Sequence, residues 1–383
     1  MARAPTSARS MLWTFHRWIG IGLFVLLVPI ALSGAALVYD DALDALIHPA
    51  RHATTGNTTQ PPSIYLANAA RALHGAQPSG VRFPEEAGAP VIVQARSTGE
   101  DGRPRLLNVY IDPPTGRVLE VVDFRSSLFG FLHVFHENLT VPEYSGRAVV
   151  GWAGVGMLIL ALSGIVLWWP RNGAFLPGLR WRRVPETSAN LHHLFGFWVS
   201  LPLAFVSLTG IYLSFPPQAR SVMSAVAPMT PQGPRGFGAP LRQTTMNADS
   251  ALESGLRVEP GARPAALFLP AAARGEGNAV PAWRLQLRKA NGETATLLVN
   301  DRNGEVARAP VPLAGDRAAQ WIRWLHEGSH SGSLWRAIVF AVGILPAVFG
   351  ITGVMMWLRG RRNRKAILKQ RATGASGSLQ AAE

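Results

Sequence analysis

Four stretches of the chain are almost entirely apolar, and two long polar segments separate them. The apolar stretches cover roughly residues 18–39, 148–169, 194–215 and 335–358. Each holds about 20 or more residues, enough for a helix rising about 1.5 Å per residue to cross a hydrocarbon layer about 30 Å thick. The pattern therefore predicts an integral membrane, α-helical protein with four transmembrane helices.

Both polar segments carry the pattern of a small α+β domain. Alternating apolar residues flank turn motifs such as Pro113-Pro-Thr-Gly116 and Asn291-Gly292, which is typical of antiparallel strands joined by tight turns. The predicted strands are 105–111, 117–122, 283–288 and 294–299, and the predicted helices are 65–73 and 248–256. We therefore expect one α+β domain in each polar segment.

These patterns divide the chain into eight parts. In chain order they are a first span (1–40), a first extramembrane domain (41–145), a second span (146–170), a short loop (171–190), a third span (191–215), a second extramembrane domain (216–330), a fourth span (331–358) and a tail (359–383). The first span lacks the small-residue cleavage site of a signal peptide, so we expect it to be retained as an anchor.

Landmarks in the first half of the chain recur in the second half. The matched residues are His16 with His192, Gly20 with Gly196, Gly34 with Gly210, Arg147 with Arg336 and Gly164 with Gly353. The offset is 176 residues for spans one and three and 189 residues for spans two and four. We interpret the chain as two tandem copies of one unit, each a span, an inserted domain and a second span. Copies that run in the same direction predict a pseudo-twofold axis along the membrane normal.

Basic residues concentrate beside the spans, and this sets the predicted orientation. The clustered residues are Arg3, Arg9 and Arg17 before the first span, Arg171, Arg180, Arg182 and Arg183 between the second and third, and Arg359, Arg361, Arg362, Arg364 and Lys365 after the fourth. Lys and Arg favour the cytoplasmic side, so we expect both termini in the cytoplasm and both large domains outside a bacterial inner membrane. Contact with anionic lipid explains the net charge of +14 better than a nucleic-acid partner does.

The composition also narrows the chemistry. The chain has no cysteine, which excludes iron–sulfur clusters, thiolate-bound zinc and covalent haem attachment. Phosphate-binding glycine loops and the Gly-x-Ser-x-Gly motif are absent from the sequence, so nucleotide binding and serine hydrolysis have no motif in their favour.

Seven of the ten histidines lie near the ends of the spans, and four of these form matched pairs. His16 matches His192, and His136 matches His326 within one residue. A single histidine at a membrane interface needs no function, but ionisable residues that recur at symmetric positions near a bilayer are candidates for a functional site. We therefore predict that these four are ligands.

The remaining histidines have weaker support. His193, His133 and His330 lie close to the predicted ligands and are alternatives to them. His48, His52 and His74 have no counterpart in the other half of the chain, and we expect them to be solvated surface side chains.

Two symmetry-related imidazoles without a carboxylate or thiolate partner suit a bis-histidine haem b better than zinc, which takes four ligands. We predict two haems b, one held by His16 and His192 and the other by His136 and His326. Because neighbouring helices alternate in direction, glycines of the other spans fall at the same depth as these histidines. Gly34, Gly164, Gly210 and Gly353 would leave room for the haems, or would let the helices approach closely.

The spacing of the second pair is long for a continuous helix. A helix from His136 to Gly164 would measure about 42 Å, so we expect breaks at Pro142 and Gly146, and at Gly328 and Gly332 in the second copy. The outer site would then lie at or above the membrane surface, or His330 would replace His326.

Two arginines at the start of spans two and four are matched by the repeat. Arg147 and Arg336 are candidate partners for haem propionates, and interfacial snorkelling is the alternative.

These landmarks resemble the PepSY-associated transmembrane family, iron-regulated inner-membrane proteins that include ferric-siderophore reductases. The first half supplies His16-Arg-Trp-Ile-Gly20, Leu32-Ser-Gly34, Phe135-His136-Glu-Asn-Leu139 and Leu167-Trp-Trp-Pro170. The second half supplies Leu191-His192, Gly196, Leu208-Thr-Gly210, Leu325-His326-Glu-Gly328 and Trp357-Leu-Arg. The resemblance covers nearly the whole chain. It implies four spans, two PepSY-like periplasmic modules and, for the reductase members, two haems b.

Together these features predict transmembrane electron transfer. We expect a cytoplasmic or quinol donor to reduce the haem at His16 and His192, and the haem at His136 and His326 to reduce Fe(III) in a siderophore, hydroxamates being one possible type, bound between the outer domains. The alternatives are a quinone-linked cytochrome b, a permease for an iron complex without redox chemistry, and a PepSY-type interaction protein.

Overall fold

The computed structural model describes residues 7–99, 102, 104–170, 175–179, 186–231, 240–241, 243–271 and 280–380. Of the basic residues that set the predicted orientation, Arg3, Arg171, Arg180, Arg182 and Arg183 lie outside these ranges.

The α-helices in these ranges are α1 (Ala8–Val38), α2 (Asp40–Ile47), α3 (Pro62–Ala72), α4 (Leu128–Asn138), α5 (Gly146–Trp168), α6 (Phe175–Gly178), α7 (Thr187–Ser214), α8 (Pro216–Val226), α9 (Ala248–Val258), α10 (Ala314–Glu327) and α11 (Gly332–Gln380). The strands are β1 (Gln77–Arg82), β2 (Val91–Thr98), β3 (Pro104–Ile111), β4 (Val118–Asp123), β5 (Arg263–Phe268), β6 (Ala282–Arg288), β7 (Thr294–Asn300) and β8 (Val306–Arg308). Short 3-10 helices lie at Pro49–His52, Phe124–Ser126 and Pro142–Tyr144.

The chain falls into two compact units. A helical unit comprises residues 1–39, 132–226 and 317–383, and a sheet unit comprises residues 40–131 and 227–316. The helical unit contains four helices, α1, α5, α7 and α11, that are long and apolar enough to span a membrane, as the apolar stretches predict. The helix α1 begins about ten residues before its apolar stretch, and α11 continues through most of the predicted tail.

The four long helices form a ring in which α1 and α7 each pack against both α5 and α11. Small residues set the close approaches. A β-carbon on Gly343 of α11 would lie 2.7 Å from Cβ of Ala35 in α1, and one on Gly151 of α5 would lie 2.5 Å from the Phe215 ring. Apolar chains gain little from burial when the alternative is lipid, so close packing at small residues is what holds such helices together.

The sheet unit corrects the expectation of two separate outer modules. All eight strands belong to one antiparallel sheet in the order β4-β3-β2-β1-β5-β6-β7-β8. The strands β1 and β5 come from different polar segments, and their residues pair directly, with Val81 opposite Leu267. The predicted modules are therefore joined edge to edge, and a ligand does not separate them at this seam.

One apolar row crosses the six inner strands of the sheet and forms its core. In sheet order it consists of Val109, Val93, Val81, Leu267, Leu285 and Leu297, which are all fully buried. Each such side chain contributes about 1.5–3 kcal/mol relative to its exposed state. The helices α3 and α9 cover this row through residues such as Tyr65 and Ala251, which are also fully buried. The two predicted helices are thus confirmed, while β1, β2, β5 and β8 were not predicted.

A buried aspartate ties each copy of the fold together at a matching position. Asp112 follows β3 and accepts hydrogen bonds from the backbone N–H and the hydroxyl of Thr55, both at 2.7 Å. Asp301 follows β7 and accepts from Thr245 N–H at 2.8 Å and from Trp283 Nε1–H at 2.9 Å. Each aspartate therefore fastens the segment that leads into α3 or α9 to the sheet beneath it.

The expectation that His48 and His52 are solvated side chains is wrong. Both rings bond the carboxylate of Asp44 at 3.0 Å, and the buried Arg51 bridges Asp44 to Glu120. Burial alone would raise the pKa of Asp44, but the hydrogen bond from His52 and the charge of Arg51 outweigh it and lower that pKa. This network fastens the segment after α1 to strand β4.

We predict that Asp301→Ala weakens the sheet unit. Burial raises the pKa of Asp301, but bonds from Thr245, Trp283 and Met246 outweigh this and the net pKa is lowered. The wild-type carboxylate therefore stabilises the fold fully above about pH 4, and this contribution is lost as the pH falls through its lowered pKa. In Asp301→Ala each donor left without a partner costs about 1–3 kcal/mol, and the extra acid sensitivity disappears.

Hydrogen exchange over residues 244–300, measured from neutral to acid pH, checks this prediction. The control is Glu293→Ala, which removes an exposed carboxylate in the same region. Equal protection in both variants at neutral pH would contradict the anchoring role of Asp301.

Candidate functional site

Within its apolar stretch, each of the four long helices carries one hydroxyl residue followed by a glycine, and each of these glycines lies against a histidine of another helix. The motifs are Ser33-Gly34 in α1, Ser163-Gly164 in α5, Thr209-Gly210 in α7 and Thr352-Gly353 in α11. They sort the four predicted ligands into two pairs inside the helical unit, which we call the His16–His192 pair and the His136–His326 pair.

In the His16–His192 pair, each ring reaches from one long helix to the next. His16 of α1 places Nδ1 at 2.7 Å from Ser163 Oγ, and a β-carbon on Gly164 would lie 3.6 Å from its Cε1. His192 of α7 places Nδ1 at 3.1 Å from Thr352 Oγ1, and a β-carbon on Gly353 would lie 3.8 Å from its Cε1. The two contacts have the same form in both copies.

The His136–His326 pair comes from the short helices α4 and α10, which precede the spans α5 and α11. His136 Nδ1 lies 2.8 Å from the carbonyl of Ile30 and 3.3 Å from Ser33 Oγ of α1. His326 Nδ1 lies 3.1 Å from both the carbonyl of Val206 and Thr209 Oγ1 of α7. These rings therefore contact the odd-numbered spans through the same hydroxyl–glycine motif.

Glycine is required at positions 34 and 210 because the imidazole rings of His136 and His326 lie very close to the backbone there. A β-carbon on Gly34 would lie 2.6 Å from Cε1 of His136, and one on Gly210 would lie 2.9 Å from Cε1 of His326. A carbon–carbon contact this short forces the ring to move. Both glycines were predicted to leave room for a planar cofactor or to let the helices approach closely, and in the structure each lies against an imidazole ring.

The predicted breaks between the short helices α4 and α10 and the spans that follow them are confirmed. The helix α4 ends at Asn138, and α5 begins at Gly146, where a β-carbon would lie 1.9 Å from the carbonyl oxygen of Asn138. In the second copy Gly328 and Gly332 have φ of 74° and 81°, values that glycine adopts without strain.

The second pair lies among the long helices. His136 reaches the Ile30 carbonyl, which lies eight residues, about 12 Å of helix, before α1 ends at Val38. The position of this pair at or above the membrane surface stays a prediction.

The spacing of the two rings fits a metal ion held between them. The ring centres of His136 and His326 are 6.2 Å apart. A metal bound at about 2.0–2.1 Å by one nitrogen of each imidazole places the ring centres about 6 Å apart. Within the part of the chain that the structure describes, no group of three or more His, Asp or Glu side chains could hold a metal ion. Two imidazoles alone suit a haem, whose porphyrin supplies the other four ligands.

Burial keeps the second pair neutral. It lowers the pKa of His136, and burial together with the charge of His136 lowers the pKa of His326 to about 4. Both rings are thus uncharged at neutral pH, and an uncharged imidazole has the nitrogen lone pair that a metal requires.

Space beside the first pair also suits a flat group. Gly20 and Gly196 lie one helical turn after His16 and His192, on the same helix faces. Among the described residues, no atom lies within 4 Å of a β-carbon built on Gly196, and Gly20 meets only Leu160 at 3.7 Å. The residues present therefore fit the predicted cofactor at both pairs.

The alternative ligands are placed differently. His330 stacks on Trp324 with ring centres 4.3 Å apart, so His326 and not His330 occupies the contact with Gly210. His133 is exposed beside Glu137 at 4.0 Å. His193 is half-buried, and within the described residues only His192 lies within 4 Å of a β-carbon on Gly353.

Arg147 and Arg336 each bond the carboxyl end of an odd-numbered span. Arg147 donates to the carbonyl of Leu213 at 2.8 Å and pairs with Glu137 at 2.6 Å. Arg336 donates to the carbonyl of Val38 at 2.9 and 2.7 Å. Cations stabilise the unpaired carbonyls at a helix end, so both arginines have a structural role, and the propionate role stays a prediction.

Comparison with known proteins identifies the family. A comparison with curated protein sequences gives no match. The family model of the PepSY-associated TM region matches residues 13–360, which include all four predicted ligands and all four hydroxyl–glycine motifs. Because this match spans most of the chain and four helices could cross a membrane, the chain is a membrane protein that belongs to the PepSY-associated TM region family.

Proposed function

We propose that this protein is a di-haem b reductase of the bacterial inner membrane, which passes electrons outward to Fe(III) in a siderophore. One observation carries the proposal. Two pairs of imidazoles, each built from equivalent positions of the two halves of the chain, converge inside a bundle of four membrane-length helices.

His16 and His192 would hold one haem b, and His136 and His326 the other. A haem with both axial positions filled supplies reversible one-electron transfer and leaves no coordination site for oxygen. The chain's own residues hold the rings in place, seat them on glycine and surround them with apolar side chains.

The two pairs lie far apart along the bundle. His16 and Gly34, which mark the two levels on α1, are 18 residues or about 27 Å apart. That distance approaches the thickness of a hydrocarbon layer, about 30 Å. One pair therefore serves a donor on one side of the membrane, and the other serves an acceptor on the opposite side.

The direction of transfer follows from charge. Arg9, Arg17 and the basic cluster from Arg359 to Lys365 flank the His16–His192 end of α1 and α11. The positive-inside rule places this end in the cytoplasm, with both termini, so the donor would be a cytoplasmic reductant or a quinol. The acceptor at the other end would be Fe(III) bound by hard oxygen ligands, which hold Fe(II) less tightly, so reduction releases the metal.

A permease without redox chemistry is the main alternative outside electron transfer. The helices α5, α7 and α11 share a cluster of buried apolar residues, Ala161, Val199, Leu203, Ala204 and Val342. A transported iron complex requires polar groups along its path, so this cluster favours electron transfer. A quinone-linked cytochrome b would use the same two haems and would differ in having a quinone as its electron-transfer partner.

The first test is the visible spectrum of the protein purified in detergent from haem-replete cells, with haem quantified per chain. We expect close to two haems b per chain with low-spin bands, because histidines would fill all four axial positions. A colourless preparation would refute the proposal. Release of Fe(II) from a ferric hydroxamate by the reduced protein, compared with reduction of a quinone analogue, separates the siderophore reductase from the cytochrome b alternative.

Removing one histidine should remove one haem. His16→Ala or His192→Ala should abolish the haem of the first pair, and His136→Ala or His326→Ala that of the second, each leaving about one haem per chain. His74→Ala is the control, because this exposed residue lies in the sheet unit. Unchanged haem content in any of the four variants would show that the ligand is assigned wrongly.

Two glycines of α1 provide a matched test of the contact between a glycine and an imidazole ring. Gly34→Ala should displace the ring of His136 and reduce the haem of the second pair, because the added carbon would lie 2.6 Å from that ring. Gly22→Ala on the same helix should retain both haems, since a β-carbon there has no described atom within 4 Å. Equal spectra of the two variants would contradict the seating role.

A further inference from the structure

The hydroxyls of the four hydroxyl–glycine motifs have a defined hydrogen-bond direction. Ser163 donates its proton to the carbonyl of Ile159 at 2.6 Å, and Thr352 donates to that of Val348 at 2.8 Å. Ser33 donates to Ile30 at 2.8 Å, and Thr209 donates to Val206 at 2.9 Å. A hydroxyl has one proton, so when that proton is given to its own helix, the oxygen meets the histidine as an acceptor.

With the hydroxyl proton on the carbonyl of its own helix, the imidazole is the donor. Nδ1 of His16 would then carry the hydrogen that bonds Ser163 Oγ, and Nδ1 of His192 the one that bonds Thr352 Oγ1. The carbonyls of Ile30 and Val206 can only accept, so Nδ1 of His136 and His326 is protonated too. In a neutral ring with Nδ1 protonated, Nε2 carries the lone pair.

We infer that Ser163 is a positioning residue that presents Nε2 of His16 to its cofactor, and that at the other three histidines a backbone acceptor shares this task with the hydroxyl. This inference rests on the proposed function. The hydroxyl fixes the protonated nitrogen and the glycine fixes the ring position, so the ring is held at two points. A ligating histidine whose other nitrogen donates to an acceptor is also a more basic ligand, which favours the oxidised metal.

His16 differs from the other three histidines in how much depends on the hydroxyl, since His192 has a backbone hydrogen bond with Phe349 besides its contact with Thr352. His136 and His326 each have a backbone carbonyl as a second acceptor for the Nδ1 hydrogen. For His16, Ser163 Oγ is the one hydrogen-bond partner found among the described residues. Loss of the serine hydroxyl should therefore matter at His16 and be tolerated at His136.

This difference provides a matched pair of variants. Ser163→Ala and Ser33→Ala make the same chemical change in the same motif. In the haem-loaded protein we expect Ser163→Ala to raise the midpoint potential of one haem and to alter the low-spin electron paramagnetic resonance signal of that haem. Ser33→Ala should leave both potentials and both signals near those of the wild type.

A conservative variant separates the hydroxyl from packing. Ser163→Thr keeps the hydroxyl, and threonine occupies the equivalent position in α11 as Thr352, so this variant should match the wild type. The inference is overturned if Ser163→Ala leaves both potentials and signals unchanged, or if Ser163→Thr shifts them as much as Ser163→Ala does.

A haem-independent readout separates this inference from the proposed function. Nitrogen-15 resonances of the histidine rings, recorded on the full-length protein without haem, distinguish Nδ1–H from Nε2–H. We expect an Nδ1–H signal for His16, assigned by its loss in His16→Ala, and loss of that preference in Ser163→Ala. An Nε2–H signal for His16 in the wild type would overturn the inference even if the protein binds two haems. If the wild type shows the expected tautomer but binds no haem, the proposed function alone is overturned.

Discussion

The contact between an imidazole edge and a glycine backbone, with a hydroxyl beside it, is the constraint on which the helical unit depends. It occurs four times, and each time it joins two different helices. Because a β-carbon on Gly34 or Gly210 would collide with a ring, these contacts limit how the helices can be spaced and which faces can meet. The chain reverses direction after α4 and after α10 because of the same constraint. Without these reversals His136 and His326 would not lie among the long helices.

This constraint explains how a membrane interior can hold polar side chains. An unpaired histidine in an apolar bundle costs several kcal/mol, but each ring here meets a hydroxyl or a carbonyl through Nδ1. The second nitrogen then has no need of a protein partner, which is the arrangement that a metal ligand requires. Arg147 and Arg336 solve a similar problem at the helix ends, where they bond the last carbonyls of α7 and α1.

The sheet unit is organised by a different rule. One row of buried aliphatic residues crosses six of the eight strands from Val109 to Leu297, and α3 and α9 cover it. The seam between β1 and β5 turns two short sheets into one and removes two exposed edges, which would otherwise be free to pair with other chains. The two copies have also diverged. The Asp44 network of the first polar segment includes His48 and His52, which have no matching residues in the second segment.

The sequence by itself determined the features that depend on local composition and on recurrence. The four membrane-length helices follow from apolar length, the strands around Asn291-Gly292 follow from alternation, and the ligand candidates follow from the matching of His16 with His192 and of His136 with His326. Tertiary structure decided which residues touch. The seam at Val81 and Leu267, the seating of rings on Gly34 and Gly210, and the hydroxyls of Ser163 and Thr352 all join segments more than a hundred residues apart. Periodicity records which face of one element is apolar, but it carries no information about which other element packs against that face.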